Sequence, residues 1–207
     1  STMLFIHFLT LCNGYDYVFF DMGPSLGAIN RSILLACDYF ITPMSSDVFS
    51  LLALGNIGSS ISSWSKLFNK GILELDEDKK RSLDGMRQRC EIEFLGYVEQ
   101  QYIMKYTGGT ARAVRAYDEI LKQIPEAIQK DVVNQINIGK DDEINYKIGS
   151  IPNFYSLVPM SQTAHKPIFE LSACDGVVGA HYQKVKAFES LMDAIVDRML
   201  NNMEALK

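Results

Sequence analysis

Tyr15-Asp16-Tyr17-Val18-Phe19-Phe20-Asp21-Met22-Gly23-Pro24-Ser25-Leu26-Gly27 is the stretch on which the reading of the fold turns. Its first half is β-branched and aromatic with poor alternation, the pattern of a strand buried on both faces of a parallel sheet. Its second half is turn-rich. Asp21 therefore stands at the carboxyl end of an expected strand, where open α/β sheets bind ligands. A Gly-Pro turn there bends the backbone and leaves amides free to face a ligand. Asp is also a favoured helix cap, so the local pattern alone leaves both roles open.

The flanking sequence continues the same theme. Ala28 to Cys37 has helical spacing at Ile29, Ile33 and Leu34, and Tyr39 to Pro43 follows as a second strand. Ser46 or Asp47 can cap a helix carrying Val48, Leu51, Leu52, Leu54 and Ile57. Strand, helix, strand, helix with short connections predicts a parallel sheet with helices on its faces. Further on, eleven of the 18 residues from Glu74 to Glu91 are charged with mixed signs, which predicts a solvated loop or exposed helix. Ile92 to Val98 reads as a third strand, and Ala111 to Ile136 as helical with a break at Pro125. Lys140 to Glu143 reads as a charged turn, and a fourth strand is expected around Phe154 to Val158. A last helix runs from about Gly179 to Leu206, with Tyr182, Val185, Phe188, Met192, Ile195, Met199 and Met203 as a stripe that packs on the sheet.

Composition sets the outer limits. The chain has 207 residues, 47% of them hydrophobic and 22% charged, enough to bury a full core as a single domain over 1–207. With 20 basic and 25 acidic residues the net charge is −5, so any nucleic-acid contact must use a local patch. Cys12, Cys37, Cys90 and Cys174 are widely spaced and form no zinc pattern with His7, His165 and His181, which points to a cytoplasmic protein with reduced thiols. The apolar run Met3 to Leu11 is too short to span a bilayer and lacks a cationic leader.

Four segments in order carry a family resemblance. YDYVFFDMGPSLG, then CDYFITPMSSDVFSLLAL, then LGYVEQQY, then IPNFYSLVPMSQTAHKPIFEL together resemble the ParA/Soj family of partitioning ATPases, from Tyr15 through the last helix. The resemblance implies an α/β fold: a three-layer, doubly wound, mostly parallel sheet of the P-loop NTPase type that dimerises around two ATP molecules. It implies that Asp21 acts through water on Mg²⁺ and that Gly23, Pro24 and Ser25 form the switch sensing the γ-phosphate. It places Gln101 at the adenine, and Pro152 and Asn153 over the base. Phosphoryl transfer rests on positioning and charge neutralisation, so a carboxylate near the metal and amides near the γ-phosphate suit it. The resemblance further implies a homodimer on non-specific DNA, stimulated by a centromere-binding ParB-like protein at the bacterial nucleoid, with no membrane. Lys105, Arg112 and Arg115, and Lys184 and Lys186, are the cations that would meet phosphates. Acidic neighbours Asp118, Glu119, Glu189 and Asp193 dilute both groups, so ordinary solvated charge is the other reading.

One part of the family's pattern is missing. No G-x-x-x-x-G-K-[ST] loop occurs in the 207 residues. Lys105 to Thr110 has paired glycines without a following Lys-Thr, and Ile138-Gly139-Lys140 is followed by Asp141. Only 14 residues precede Tyr15, too few for the upstream strand, loop, helix and strand. The expectation is the C-terminal two-thirds of a ParA-like domain, truncated on its N-terminal side, that alone neither binds ATP tightly nor hydrolyses it. The alternatives are a non-enzymatic scaffold descended from such an ATPase, or a relative that positions other cargo. His165-Lys166-Pro167 reads as the loop into Ile168-Phe169-Glu170, with no nucleophile or acid placed beside it.

Overall fold

The computed structural model describes residues 14–23, 25–81, 89–102, 104–107, 110–113, 115–140 and 144–207, with only the backbone course given for 101–118. The described chain sorts into two compact units. One draws on the described residues within 1–40, 53–94 and 128–139; the other draws on those within 41–52, 95–127 and 140–207. Pro24, Met3 to Leu11, residues 82–88 of the charged segment and residues 141–143 of the expected turn lie outside the described residues.

The elements are α1 (Ala28–Leu34), β1 (Tyr39–Ser45), α2 (Val48–Leu73), α3 (Glu77–Arg81), β2 (Glu93–Tyr102), β3 (Met104–Thr107), β4 (Thr110–Ala113) and α4 (Arg115–Ile128). After a π-helical turn (Gln129–Val133) come α5 (Asn134–Ile136), β5 (Lys147–Pro152), α6 (Leu157–Ala164), two 3₁₀ turns and α7 (His181–Leu206). The main sheet has the order β1-β2-β5. β2 and β5 run parallel, from Tyr97 beside Lys147 to Tyr102 beside Pro152. β1 and β2 start side by side, because Asp38 O accepts a hydrogen bond from Glu93 N at 2.9 Å where both strands begin. The chain is thus α/β with a three-stranded parallel sheet flanked by helices.

In the first unit, Leu34 of α1 and Ile61 of α2 bury against Cys90 and Ile92, with Ile57, Trp64, Phe68 and Phe40 packed around them. α2 lies close to the π turn: a Cβ on Gly58 would sit 1.9 Å from Asp131 O. Two asparagine side chains bond backbone peptide groups at and before the start of β2. Buried Asn137 donates to Phe94 O and accepts from Phe94 N, both at 2.8 Å. Asn69 brackets the peptide groups of Cys90, donating to its carbonyl at 3.1 Å and accepting from its N–H at 2.7 Å.

In the second unit, α7 packs on β5, with Ile195 filling the space over Gly149, where a Cβ would lie 2.6 Å from Ile195 Cγ1. Asn202 of α7, buried, donates to Leu95 O and Asn145 O, each at 2.9 Å. Phe154, Leu157, Ile168, Leu171, Val177 and Val185 form the other core, with Phe188 edge-on to Phe154 at 5.0 Å.

Several expectations need correction. Among the described residues Tyr15–Phe20 forms no strand: Tyr15 to Phe19 stand exposed, Phe20 is half-buried, and no ladder pairs the run. A strand needs a hydrogen-bonded neighbour, and the composition of the run does not supply one. The strand expected around Phe154 to Val158 is instead β5, Lys147–Pro152, and the residues from Phe154 on lead into α6. Asn153 turns the chain there, its Oδ1 accepting from Tyr155 N at 2.7 Å. Thr110–Ala113 is the second strand of a hairpin, not the start of a helix. Pro125 sits inside α4 without ending it. The helix does loosen into the π turn a few residues later.

Candidate functional site

Asp21 is exposed at the end of the Tyr15–Phe20 run. Gly23 and Ser25, also exposed, flank the turn that leads into α1. The turn is held from the helix side. Asn30 Nδ2 donates to Gly23 O at 2.9 Å and to Ser25 O at 2.6 Å. Arg31 N bonds back to Gly27 O at 2.9 Å, where α1 begins. Asp21 is thus not a cap of α1: Gly27 occupies that position, without a side-chain hydrogen bond. Asp21 stands two residues before Gly23 on the same run, and Asn30, which the sequence argument missed, bonds the Gly23 and Ser25 carbonyls. Its only signal was a polar residue at the third position of an otherwise small or apolar first turn.

Arg31, one residue on, lies over the Trp64 ring at 5.7 Å from its centroid, so the helix following the turn is tied to α2 by a cation–π contact.

Pro152 and Asn153 belong to the other unit. Pro152 is the last residue of β5, the carboxyl end of a parallel strand. Asn153 has its oxygen committed to the Tyr155 amide, and Tyr155 adopts φ 47°, a left-handed conformation uncommon for an aromatic residue. Gln101 lies in β2 near the pairing of Tyr102 with Pro152, so the backbone puts both expected base-contacting segments at adjacent strand ends.

Below those strand ends sits a group the sequence argument did not single out. Glu99 of β2 is buried, and its Oε2 accepts from Ser150 Oγ at 2.7 Å and pairs with Lys147 Nζ at 2.8 Å. Both partners are on β5, so the carboxylate bridges the two strands. Burial, and after it the Glu99 carboxylate, pushes the Tyr97 phenol up to about 12. A charged residue inside the otherwise apolar run of β2 was the available clue.

The expected cations divide in two. Lys105 and Arg112 are opposite one another in the β3–β4 hairpin, and Arg115 opens α4. Lys184 and Lys186 are exposed on α7 but two residues apart, so they point about 200° away from each other around the helix. His165 and Lys166 form no catalytic pair. His165 ends α6 with φ 51°, and Lys166 Nζ is 3.0 Å from both carboxylate oxygens of Asp175. That ammonium, with two bonds from Ser172, holds Asp175 below its ordinary carboxylate value.

An exposed carboxylate beside exposed turn residues fits a water-mediated contact to Mg²⁺, a hard cation that keeps much of its hydration. The donor set for a triphosphate is not there: no glycine-rich loop with its lysine occurs in the sequence. Among the described residues, no group of three or more His, Cys, Asp or Glu could hold a metal by itself, and no helix is long and apolar enough to cross a membrane.

Comparison with known proteins agrees at the level of fold and broad class. A family model described as an AAA domain, AAA_31, matches residues 2–73. No curated protein matches the chain. Among solved structures, the crystal structure of protein DIP2308 from Corynebacterium diphtheriae is similar with a TM-score of 0.53 at 23% identity. The match covers 74% of this chain and 49% of that one, so the chain spans about half the length of this structural relative. The segment holding Asp21 and its turn is therefore similar to a P-loop ATPase-type domain, on a chain whose fold is shared with a longer protein.

Proposed function

We propose that the chain carries the switch and base-binding portion of a ParA-like partitioning ATPase with a doubly wound, P-loop NTPase-like sheet. The observation that carries this reading is the turn after Asp21, clamped by Asn30 through Gly23 O and Ser25 O at the start of α1. A turn that senses a phosphate needs its backbone held beside an accessible carboxylate, and the Asn30 bonds next to exposed Asp21 support that reading. In the proposal Asp21 accepts a hydrogen bond from a water on Mg²⁺, and the Gly23-Pro24-Ser25 backbone faces the γ-phosphate. Gln101, Pro152 and Asn153 line the base from the ends of β2 and β5. ATP and Mg²⁺ supply the reacting phosphoryl group and its charge neutralisation. The phosphate cradle has to come from residues beyond these 207, so this chain alone binds ATP weakly and does not turn it over.

The wider role is part of the same proposal. Two nucleotide-bound copies pair, hold non-specific DNA through Lys105, Arg112, Arg115, Lys184 and Lys186, and release it when a centromere-binding ParB-like partner stimulates hydrolysis, in the cytoplasm at the nucleoid. A second reading, a scaffold without catalysis or a relative moving other cargo, is favoured by one observation, the missing phosphate loop.

The reading frame upstream of Ser1 separates the two. A Gly-x-x-x-x-Gly-Lys-[Ser/Thr] stretch there supports the ATPase, and turnover by that longer chain should fall at least about tenfold in Asp21→Asn, a loss of more than about 1.4 kcal/mol in transition-state stabilisation. A frame without such a stretch, or turnover indifferent to Asp21→Asn, overturns it.

A further inference from the structure

β2 and β5 run in parallel through two changes of register. Tyr97 stands beside Lys147 at one end and Tyr102 beside Pro152 at the other, the same spacing on both strands. Between them Val98, Glu99 and Gln100 stand beside Gly149, Ser150 and Ile151, one residue further along β5. The single step from Tyr97 to Val98 faces a double step from Lys147 to Gly149, which makes Ile148 an extra residue on β5. The double step from Gln100 to Tyr102 faces the single step from Ile151 to Pro152, which makes Gln101 an extra residue on β2. Bulges are rare in parallel pairs and disrupt the ladder. A straight ladder from Tyr97 to Tyr102 would need neither, so some group holds the middle of the pair out of step.

Lys147 and Ser150 are three residues apart and would point to opposite faces of a regular strand. The extra residue at Ile148 lets both reach Glu99 Oε2, at 2.8 Å and 2.7 Å. In the straight ladder Glu99 would stand beside Gly149, which has no side chain to offer, and Ser150 beside Gln100 on the other face. The buried carboxylate would then lose its hydroxyl partner. Gly149 adds to the hold, because Ile195 fills the space a Cβ would take there, 2.6 Å from its Cγ1. We infer that the β2–β5 pair has two register settings, that Glu99 latches the stepped one, and that the latch keeps Gln101 out of the ladder. A bulge re-aims the residue it carries, so Glu99 is a positioning residue for Gln101. The role of Gln101 at a base rests on the function proposed above; the two settings do not.

Nuclear Overhauser contacts between the strands, measured on this chain with no nucleotide present, read the register directly. The parent should show Glu99 against Ser150 and Gln100 against Ile151. Glu99→Leu fills the site without the latch, and Lys147 can turn to water because its side chain is 43% exposed. In that variant Gln100 should move against Ser150 and Gln101 against Ile151, with both bulges gone. Glu99→Gln keeps an acceptor for Ser150 and should keep the stepped setting. Ser150→Ala leaves only the Lys147 pair and should show both settings, as two sets of contacts for Gln100; it carries the test where Glu99→Leu does not fold. A parent in the straight register, a folded Glu99→Leu that retains the bulges, a Glu99→Gln that loses them, or a Ser150→Ala in the stepped setting alone would each overturn the inference. With no nucleotide in the experiment, such a result would leave the proposed function standing.

Discussion

Asn30 shows how much of the candidate site depends on one side chain. Its amide satisfies two turn carbonyls that nothing else among the described residues bonds. Asn30→Ala should lower stability by about 1 kcal/mol, read from a urea midpoint, because the freed carbonyls are exposed enough for water to replace much of each bond. Amide exchange at Ser25 to Gly27 should speed up with it. Glu99 presents the opposite situation, a buried carboxylate. Glu99→Gln keeps an oxygen for Ser150 but leaves Lys147 without its ion pair. Since the Lys147 side chain is 43% exposed, the ammonium can turn to water, and the cost should be about 1–2 kcal/mol rather than that of a fully buried pair. The Tyr97 phenol adds a pH dependence. Its native value, about 12, lies above the ordinary 10.0, so the unfolded chain loses this proton first as pH rises. Native stability from this group is complete below about pH 10 and declines as pH rises to about 12. An absorbance titration of tyrosinate should show Tyr97 titrating late, a phase absent from Tyr97→Phe. Glu99→Gln should bring it down only partly, because burial is the larger cause.

The elements separate what could be read from the sequence from what could not. α1, β1, α2 and α7 appear where the 3.6-residue and strand patterns put them, and Asp47 starts α2 as expected, accepting from Ser50 N at 2.8 Å. The charged segment yields the short exposed α3, capped by Asp76 through Lys79 N at 3.0 Å. The failures are short apolar runs. Phe154 to Val158 and Tyr15 to Phe20 have strand composition, yet the first feeds a helix after the Asn153 turn and the second has no partner among the described residues. Composition reports burial and branching, whereas a strand is made by its neighbour. At the site, Asp21 and the turn were legible because a carboxylate and a Gly-Pro pair are local signals. Asn30, Glu99 and Ser150 were not, since their roles arise from residues 5 to 51 positions away. Helix packing gives a test at this scale. Gly58→Ala would place a Cβ 1.9 Å from Asp131 O, a backbone atom that cannot step aside without moving the π turn. A loss of about 2–3 kcal/mol is expected, measured by chemical denaturation. A neutral result would mean that α2 does not pack on the π turn as described.

At the scale of the whole molecule, the chain is α/β with a parallel sheet, is similar to an AAA-domain model over residues 2–73 and shares its fold with a longer protein. In the proposed function this chain carries a switch turn and strand ends that line a base, while the phosphate-binding loop does not occur in its 207 residues. A triphosphate is held mainly by backbone amides and a lysine that offset its charge, so those omissions decide the energetics. Calorimetric titration of this chain with Mg-ATP at about 150 mM salt measures that balance directly. The account predicts no saturable heat in the micromolar range. Micromolar binding would contradict it, because it would require a phosphate site within these 207 residues.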